Sequence, residues 1–278
     1  MAVSARRTIH RDGVAVVALA TVGILSAPGA AQAWGPAVHQ EVTSRAIDTL
    51  PKGLKSFYKD HRLELPSLSV EPDIPDEGRD RRFTVDKLMR FPFWDLPRTE
   101  AELKAKFPEA GDVGRLPWLI EENYARLVEA FKSGDKEKIL TESDRLAGLV
   151  TDLHNPLALA ENSDGQKTEQ HGLWVRFGTR LPEAMEKRLK LSPDAAHLLD
   201  DPKAYLMSIV NMTYVWLDNL LYADELARRG KSGYTEIYYE AAEQRLGPLL
   251  RDRLSQAAGD AGSYWYTAWT AAGRPELK

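Results

Sequence analysis

The chain has 278 residues, no cysteine, 43% hydrophobic residues and a formal net charge of −4. The lack of cysteine excludes disulfide bridges, thiolate zinc sites and a cysteine nucleophile. The slightly acidic balance argues against nonspecific nucleic-acid binding, because such binding depends on an excess of basic charge. The length suits one domain with a full hydrophobic core.

Residues 1–33 have the pattern of an export signal. Arginines precede an apolar run from about Val14 to Leu25, and Ala31-Gln32-Ala33 supplies a small-x-small cleavage site. The run is too short to span a bilayer, so we expect no transmembrane anchor. The sequence therefore predicts a signal peptide over residues 1–33, a mature domain over 34–278 with a net charge of −6, and a periplasmic or secreted location.

Caps and apolar periodicity predict the first helices of that domain. Pro36 begins a helix that extends to about Leu50, and a loop rich in proline and aspartate follows over residues 64–82. Thr99 to Glu102 have the sequence of a capping box, which opens a short helix. A longer helix follows Pro117.

The helices of the C-terminal half follow from the same signals. Asp201-Pro202 begins a helix that we expect to continue to about Arg229, and a last helix starts near Glu236 with a kink at Gly247-Pro248. No useful strand-like alternation occurs between them. The predicted fold class is all-α, in a single multi-helix domain.

The most informative stretch is Arg145 to Phe177. A helix capped by Asp135 ends before Pro156, which cannot continue it. Asp152 lies in the last turn of this otherwise apolar helix, where a buried carboxylate is costly unless a cation meets it. The sequence therefore predicts a cationic partner for Asp152.

This stretch resembles the core of the zinc-dependent phospholipase C and single-strand nuclease superfamily. The family pattern is roughly H-x3-D-x-H-x-P-L-H followed by N-x-D-G-Q-x-T-x-Q-x-G-[IL]-H-x-R-F-E. The residues that fall on it without a gap are Asp152, His154, Pro156, Leu157, Asn162, Asp164, Gly165, Gln166, Thr168, Gln170, Gly172, Leu173, Arg176 and Phe177. The resemblance implies the family's helical fold and zinc-dependent hydrolysis of phosphodiesters.

The resemblance also implies metal ligands. In the family, the first mature residue is a tryptophan that binds zinc through its amine and carbonyl, together with a histidine five residues on; these correspond to Trp34 and His39. The residue matching Asp152 bridges metals and takes part in catalysis. Asp76 is the better match for a further metal aspartate, and Asp73 is the alternative. In the alternative reading, Trp34 fills the core and His39 bonds a backbone carbonyl.

Several family ligands are replaced. Gly148, Ala158, Trp174 and Gly178 stand where the pattern has histidines or an acid, and no histidine occurs between His61 and His154. Hydrolysis with two or three metals needs one ion to ionise the water and another to hold the leaving oxygen. With one complete ligand set, we expect at most one zinc.

Three interpretations follow. The first is a degenerate, inactive member that binds a ligand, a partner or one metal in the old cleft, a phosphoester such as a lipid headgroup or nucleotide being the implied ligand. The second is a weak single-metal phosphodiesterase or phosphatase acting on lipid or nucleic-acid phosphoesters. The third is an unrelated exported helical protein. The sequence names no protein partner and no oligomeric state.

Overall fold

The computed structural model describes residues 33–65 and 80–277, and the regular elements in these ranges are all helices. Short 3₁₀ turns occupy Val85–Lys87 and Pro156–Leu159, and a π-helical turn occupies Arg176–Arg180. The α-helices are α1 (Pro36–Thr49), α2 (Lys52–Asp60), α3 (Glu100–Lys106), α4 (Leu116–Ser133), α5 (Lys136–Leu153), α6 (Leu173–Val175), α7 (Leu181–Met185), α8 (Pro202–Tyr214), α9 (Leu217–Arg228) and α10 (Glu236–Ala271). The prediction of a single all-α domain is confirmed.

Helix α5 lies at the centre of the domain, packed against α1, α4 and α10. It begins as predicted, because the Asp135 side chain accepts the backbone N–H of Lys138 at 3.2 Å. From Leu146 to Leu153 every residue is buried. The helix ends at Leu153, with His154 as its C-cap, before Pro156 as predicted.

Helix α10 spans 36 residues and packs against α1, α4, α5 and α9. Pro248 lies inside it, and the helix continues on both sides. Near its C-terminal end, the ring of Trp265 stacks on Tyr58 at 4.7 Å, and its indole N–H donates to the Ser143 carbonyl at 2.9 Å. The aromatic residues near the C-terminus thus pack α10 against α2 and α5.

The prediction of one continuous helix from Asp201 to about Arg229 is wrong. The structure has two helices, α8 and α9, which are separated at residues 215–216. Asp201 caps α8 as expected. In an unbroken helix the Trp216 N–H would bond the Met212 carbonyl. Instead Arg253 of α10 donates to that carbonyl at 3.0 Å, and the Trp216 N–H turns to Thr213 at 3.2 Å.

Two sets of predictions lie outside the described residues. Residues 1–32 hold almost all of the predicted export signal, and residues 66–79 contain Asp76. Among residues 33–65 and 80–277, no helix combines the length and apolarity needed to cross a bilayer.

Candidate functional site

Asp152 is fully buried and contacts the guanidinium of Arg81 and the imidazole of His39. The Arg81 Nε–H donates to Oδ2 at 2.5 Å, and His39 Nε2 lies 2.9 Å from Oδ1. Burial alone would raise the pKa of this carboxyl, but the charges of Arg81 and His39 together hold its pKa below the ordinary value. The predicted cation beside Asp152 is therefore an arginine of the same chain, with a histidine at its side.

Three separate parts of the fold position this ion cluster. His39 lies on the buried face of α1, and Asp152 lies in the last turn of α5. Arg81 belongs to the segment that precedes α3. Two backbone hydrogen bonds fix this segment: Phe83 N–H to the Ala158 carbonyl at 2.9 Å and Leu116 N–H to the Arg82 carbonyl at 3.1 Å. The cluster thus joins α1, α5 and the segment around residue 81.

Trp34 lies beside the cluster and is itself buried. Its indole N–H donates to the Thr151 carbonyl at 2.9 Å, and its ring lies 5.3 Å from that of Phe177. The Trp34 side chain therefore contacts the residue before Asp152, and His39 contacts Asp152 itself. The Trp34 side chain also fills the core, as the alternative reading expects.

Protein atoms fill the space at positions where the resemblance would place metal ligands. A Cβ added to Gly148 would lie 3.3 Å from an Nη of Arg81, so the guanidinium occupies the space beside the missing side chain. Ala158 and Trp174 are both buried in the hydrophobic core. The guanidinium carbon of Arg82 lies 4.3 Å from the centre of the Trp174 ring, a cation–π contact.

This arrangement does not fit a zinc ion. A metal at Asp152 needs a carboxylate oxygen and a ring nitrogen of His39 to be free, and both oxygens and His39 Nε2 are engaged within the ion cluster. In the part of the chain that the structure describes, no three His, Cys, Asp or Glu side chains are grouped so as to hold a metal. The assignment of Trp34, His39 and Asp152 to zinc stays a prediction, and it requires the Arg81–Asp152 contact to open.

The residues from Asn162 to Trp174 that match the pattern form a loop whose side chains hydrogen-bond its own backbone. Asp164 accepts the backbone N–H groups of Gly172 at 2.9 Å and Trp174 at 3.0 Å, which fixes the start of α6. Gln166 accepts the Asp164 N–H at 2.9 Å, and Asn162 accepts the Lys167 N–H at 2.7 Å. The matches to the family pattern in this loop therefore have structural explanations.

A second buried carboxylate, Asp224 of α9, anchors this loop to the rest of the domain. It accepts from Gln170 at 2.8 Å, from Arg176 at 3.2 Å and from the Tyr238 hydroxyl. Burial raises the pKa of the Tyr238 hydroxyl, and the nearby charge of Asp224 raises it further. Sequence reasoning missed Asp224, since only the apolar face of its helix gave a signal.

His154 has a structural position at the C-terminal end of α5. Its Nε2 lies 3.0 Å from Oδ2 of Asp260 in α10, and the Tyr205 hydroxyl donates to Oδ1 of the same carboxylate at 2.8 Å. This network ties α5, α8 and α10 together. His154, at the end of α5, therefore bonds the Asp260 side chain.

A groove of about 910 Å³ lies between α1 and the segment around α7. It is separate from the buried ion cluster, although Gly35 and Val38, neighbours of Trp34 and His39 in the chain, line it. Its charged residues include both signs. They are Arg45, Arg62, Lys187 and Lys190 on the basic side, and Glu41, Glu183 and Glu186 on the acidic side.

Comparison with known proteins shows a likeness at the level of the fold. No family model matches the chain, and no curated protein matches it. Among solved structures, the chain is similar to a crystal structure of Clostridium perfringens alpha-toxin isolated from avian strain SWCP, with a TM-score of 0.52 and 11% sequence identity. The match covers 88% of this chain and 66% of the toxin chain, just under two thirds. At this identity the likeness shows the fold alone, a helical domain.

Proposed function

We propose that this protein is an exported, non-hydrolytic binding protein with a phospholipase C/nuclease-like fold. In this proposal a buried ion cluster of Arg81, Asp152 and His39 takes the place of the family's metal centre. The observation that carries the proposal is the 2.5 Å contact between Arg81 and Asp152. The fold likeness to alpha-toxin and the pattern matches around Asp152 support the fold part of the proposal.

The chemistry of an arginine explains the loss of hydrolysis. A bound metal lowers the pKa of a coordinated water and holds the leaving oxygen. A guanidinium supplies positive charge and hydrogen bonds, but it has no open coordination position and stays protonated. Arg81 can therefore neutralise Asp152 without generating a nucleophile.

The groove between α1 and the α7 segment is the proposed ligand site. Lys187 and Lys190 line it, and their flexible ammonium groups suit a phosphoester, either a lipid headgroup or a nucleotide. Arg45 and Arg62 also line it, but each already pairs with an acidic side chain of α1. The lysines are thus the basic groups we expect to contact a phosphate.

Hydrolysis assays test the enzymatic part of the proposal. Wild-type protein and the Asp152→Asn variant are incubated with single-stranded DNA, phosphatidylcholine and a chromogenic phosphodiester, with and without added zinc. We expect both proteins to be inert to the same degree. A wild-type rate clearly above that of Asp152→Asn would refute the non-hydrolytic proposal.

Ligand titrations test the groove. Phosphocholine and a nucleoside monophosphate are titrated against wild type, the double variant Lys187→Gln/Lys190→Gln, and the control Lys132→Gln, whose exposed ammonium pairs with Glu129 on α4. We expect the double variant to lose affinity and the control to keep it. Equal affinity in all three proteins would remove the groove from the proposal.

A single-zinc hydrolase remains the second candidate. The observation that favours it is the proximity of Trp34, His39 and Asp152 around the end of α5. This candidate predicts that zinc raises the melting temperature of a chain beginning at Trp34, and that an extra methionine before Trp34 abolishes the effect. No zinc effect on either chain would eliminate it.

A further inference from the structure

Ala33 belongs to the folded body of this protein. It is fully buried, in one hydrophobic cluster with Ala158, Trp174 and Phe177. Its carbonyl accepts a hydrogen bond from the side-chain amide of buried Asn155 at 2.5 Å. The next peptide units are held as well, because the Gly35 N–H donates to the Gly178 carbonyl at 2.9 Å.

Gly178 allows the backbone of Ala33 to approach closely. A Cβ added there would lie 2.5 Å from the Ala33 carbonyl oxygen, closer than a real Cβ contact allows. The position of Ala33 therefore requires a glycine at residue 178. The acidic side chain that the family has there would not fit. Ala33 occupies space that any side chain at residue 178 would need.

A chain beginning at Trp34 would disturb this site. It would place a charged amine at a buried residue, and a buried charge is costly without a partner. The nearby carboxylate of Asp152 already bonds Arg81 and His39. The Asn155 amide would also lose its acceptor, and an unsatisfied buried donor destabilises a fold.

We infer that the mature protein keeps Ala33, and that the leader is cut after Ala31 instead of at the Ala33–Trp34 bond. Gly29-Ala30-Ala31 offers small residues at the two positions that a leader peptidase reads. The inference rests on the export in the proposed function and does not depend on the absence of hydrolysis. It also gives a reason for the missing metal chemistry, since an amide at Trp34 is no zinc ligand.

The first experiment identifies the mature amino terminus. The full chain is produced in an exporting bacterial host, and the N-terminal peptide of the exported protein is read by tandem mass spectrometry. We expect the sequence Gln32-Ala33-Trp34. A terminus at Trp34, or an uncut leader on exported protein, would overturn the inference, whereas hydrolytic activity would refute only the proposed function.

The second experiment measures what Ala33 contributes. Chains beginning at Gln32 and at Trp34 are released from a cleavable fusion, each with and without Gly178→Ala. We expect the Gln32 chain to melt at least about 2–4 °C higher, the shift that a modest stability difference produces at this size. Gly178→Ala should lower the melting temperature of the Gln32 chain and change that of the Trp34 chain far less.

Gly259→Ala is the matched control for that comparison. Gly259 lies in α10, and a Cβ there would make only ordinary contacts, the nearest at 3.5 Å. Its replacement should change both chains by the same amount. If Gly178→Ala likewise affects both chains equally and the two parent chains melt together, Ala33 has no structural role and the inference falls.

Discussion

The Arg81 Nε lies 2.5 Å from Asp152 Oδ2, and both side chains are buried. The segment around Arg81 and the last turn of α5 are far apart in sequence, so this contact fixes tertiary structure. His39 adds α1 to the same carboxylate. We interpret the cluster as structural. Arg81 and His39 compensate the buried charge of Asp152, which would otherwise be costly at the apolar end of α5.

The first prediction concerns the stability that depends on this contact. Arg81→Met should destabilise the protein by about 3–5 kcal/mol, because removing one partner leaves a buried charge without compensation. Urea denaturation gives the free energy of unfolding. Arg115→Met is the control, since Arg115 makes ion pairs near the surface that are typically worth about 1 kcal/mol or less each.

The double variant Arg81→Met/Asp152→Asn completes a thermodynamic cycle with the single variants. We expect it to be more stable than the sum of the two single losses predicts, with a coupling of roughly 0.5–3 kcal/mol. If Arg81→Met costs no more than Arg115→Met, the buried contact does not form in solution.

The second prediction concerns pH. Burial opposes ionisation of Asp152, but Arg81 and His39 prevail and its pKa in the folded state lies below the ordinary value. Such a carboxyl contributes stability above its unfolded pKa of about 3.9, and this contribution is lost as the pH falls through the folded-state pKa. The stability difference between wild type and Asp152→Asn should therefore be full near neutral pH and shrink in acid.

Urea denaturation at a series of pH values from neutral to acid measures that difference directly. Asp135→Asn serves as a comparison, because Asp135 is an exposed helix cap whose pKa is lowered chiefly by its hydrogen bond to the Lys138 backbone. A wild-type to Asp152→Asn difference that stays constant with pH would contradict an ionised Asp152 in the fold.

Local signals in the sequence predicted much of this fold. The cap at Asp135, the stop before Pro156 and the capping residue Thr99, which accepts the Glu102 N–H at 3.1 Å, are all where they were expected. Each depends on neighbours within a few residues of the chain.

Long-range contacts account for what could not be predicted. The sequence predicted a cation beside Asp152 but did not distinguish Arg81 from the other basic residues. The distance between Arg81 and Asp152 is set by tertiary packing. At the break between α8 and α9, Arg253 likewise binds the Met212 carbonyl from another helix. Neither contact leaves a periodic or motif-like trace in the sequence.

The third prediction concerns the loop that retains the family pattern. Asp224→Asn should weaken the bonds to Gln170, Arg176 and Tyr238 together, and we expect a loss of several kcal/mol because Asp224 and Arg176 form a buried ion pair. Hydrogen exchange should increase most in residues 161–176. The adjacent variant Glu225→Gln, which removes only an exposed pair with Arg229, should leave exchange in that loop unchanged. Equal protection in both variants would mean that Asp224 does not anchor the loop.

The last prediction concerns the segment that follows Arg81. The Asn211 side chain of α8 accepts the Phe93 backbone N–H at 3.1 Å and donates to the Phe93 carbonyl at 3.2 Å, so one amide satisfies both polar groups of a buried residue. Asn211→Ala leaves those groups without partners, which should cost about 1–3 kcal/mol. Because the segment would then detach more easily, limited proteolysis should cut near residues 90–95 faster than in wild type.

Met212→Ala is the matched control for Asn211→Ala, since the Met212 side chain is exposed and the hydrogen bond to Arg253 uses the Met212 backbone carbonyl, which the substitution keeps. Its proteolysis rate near residues 90–95 should equal that of wild type. Acceleration by both variants would point to general loosening of α8, and acceleration by neither would show that Asn211 does not hold the segment. Acceleration by Asn211→Ala alone would establish that α8 fixes the segment that carries Arg81 to the buried acid.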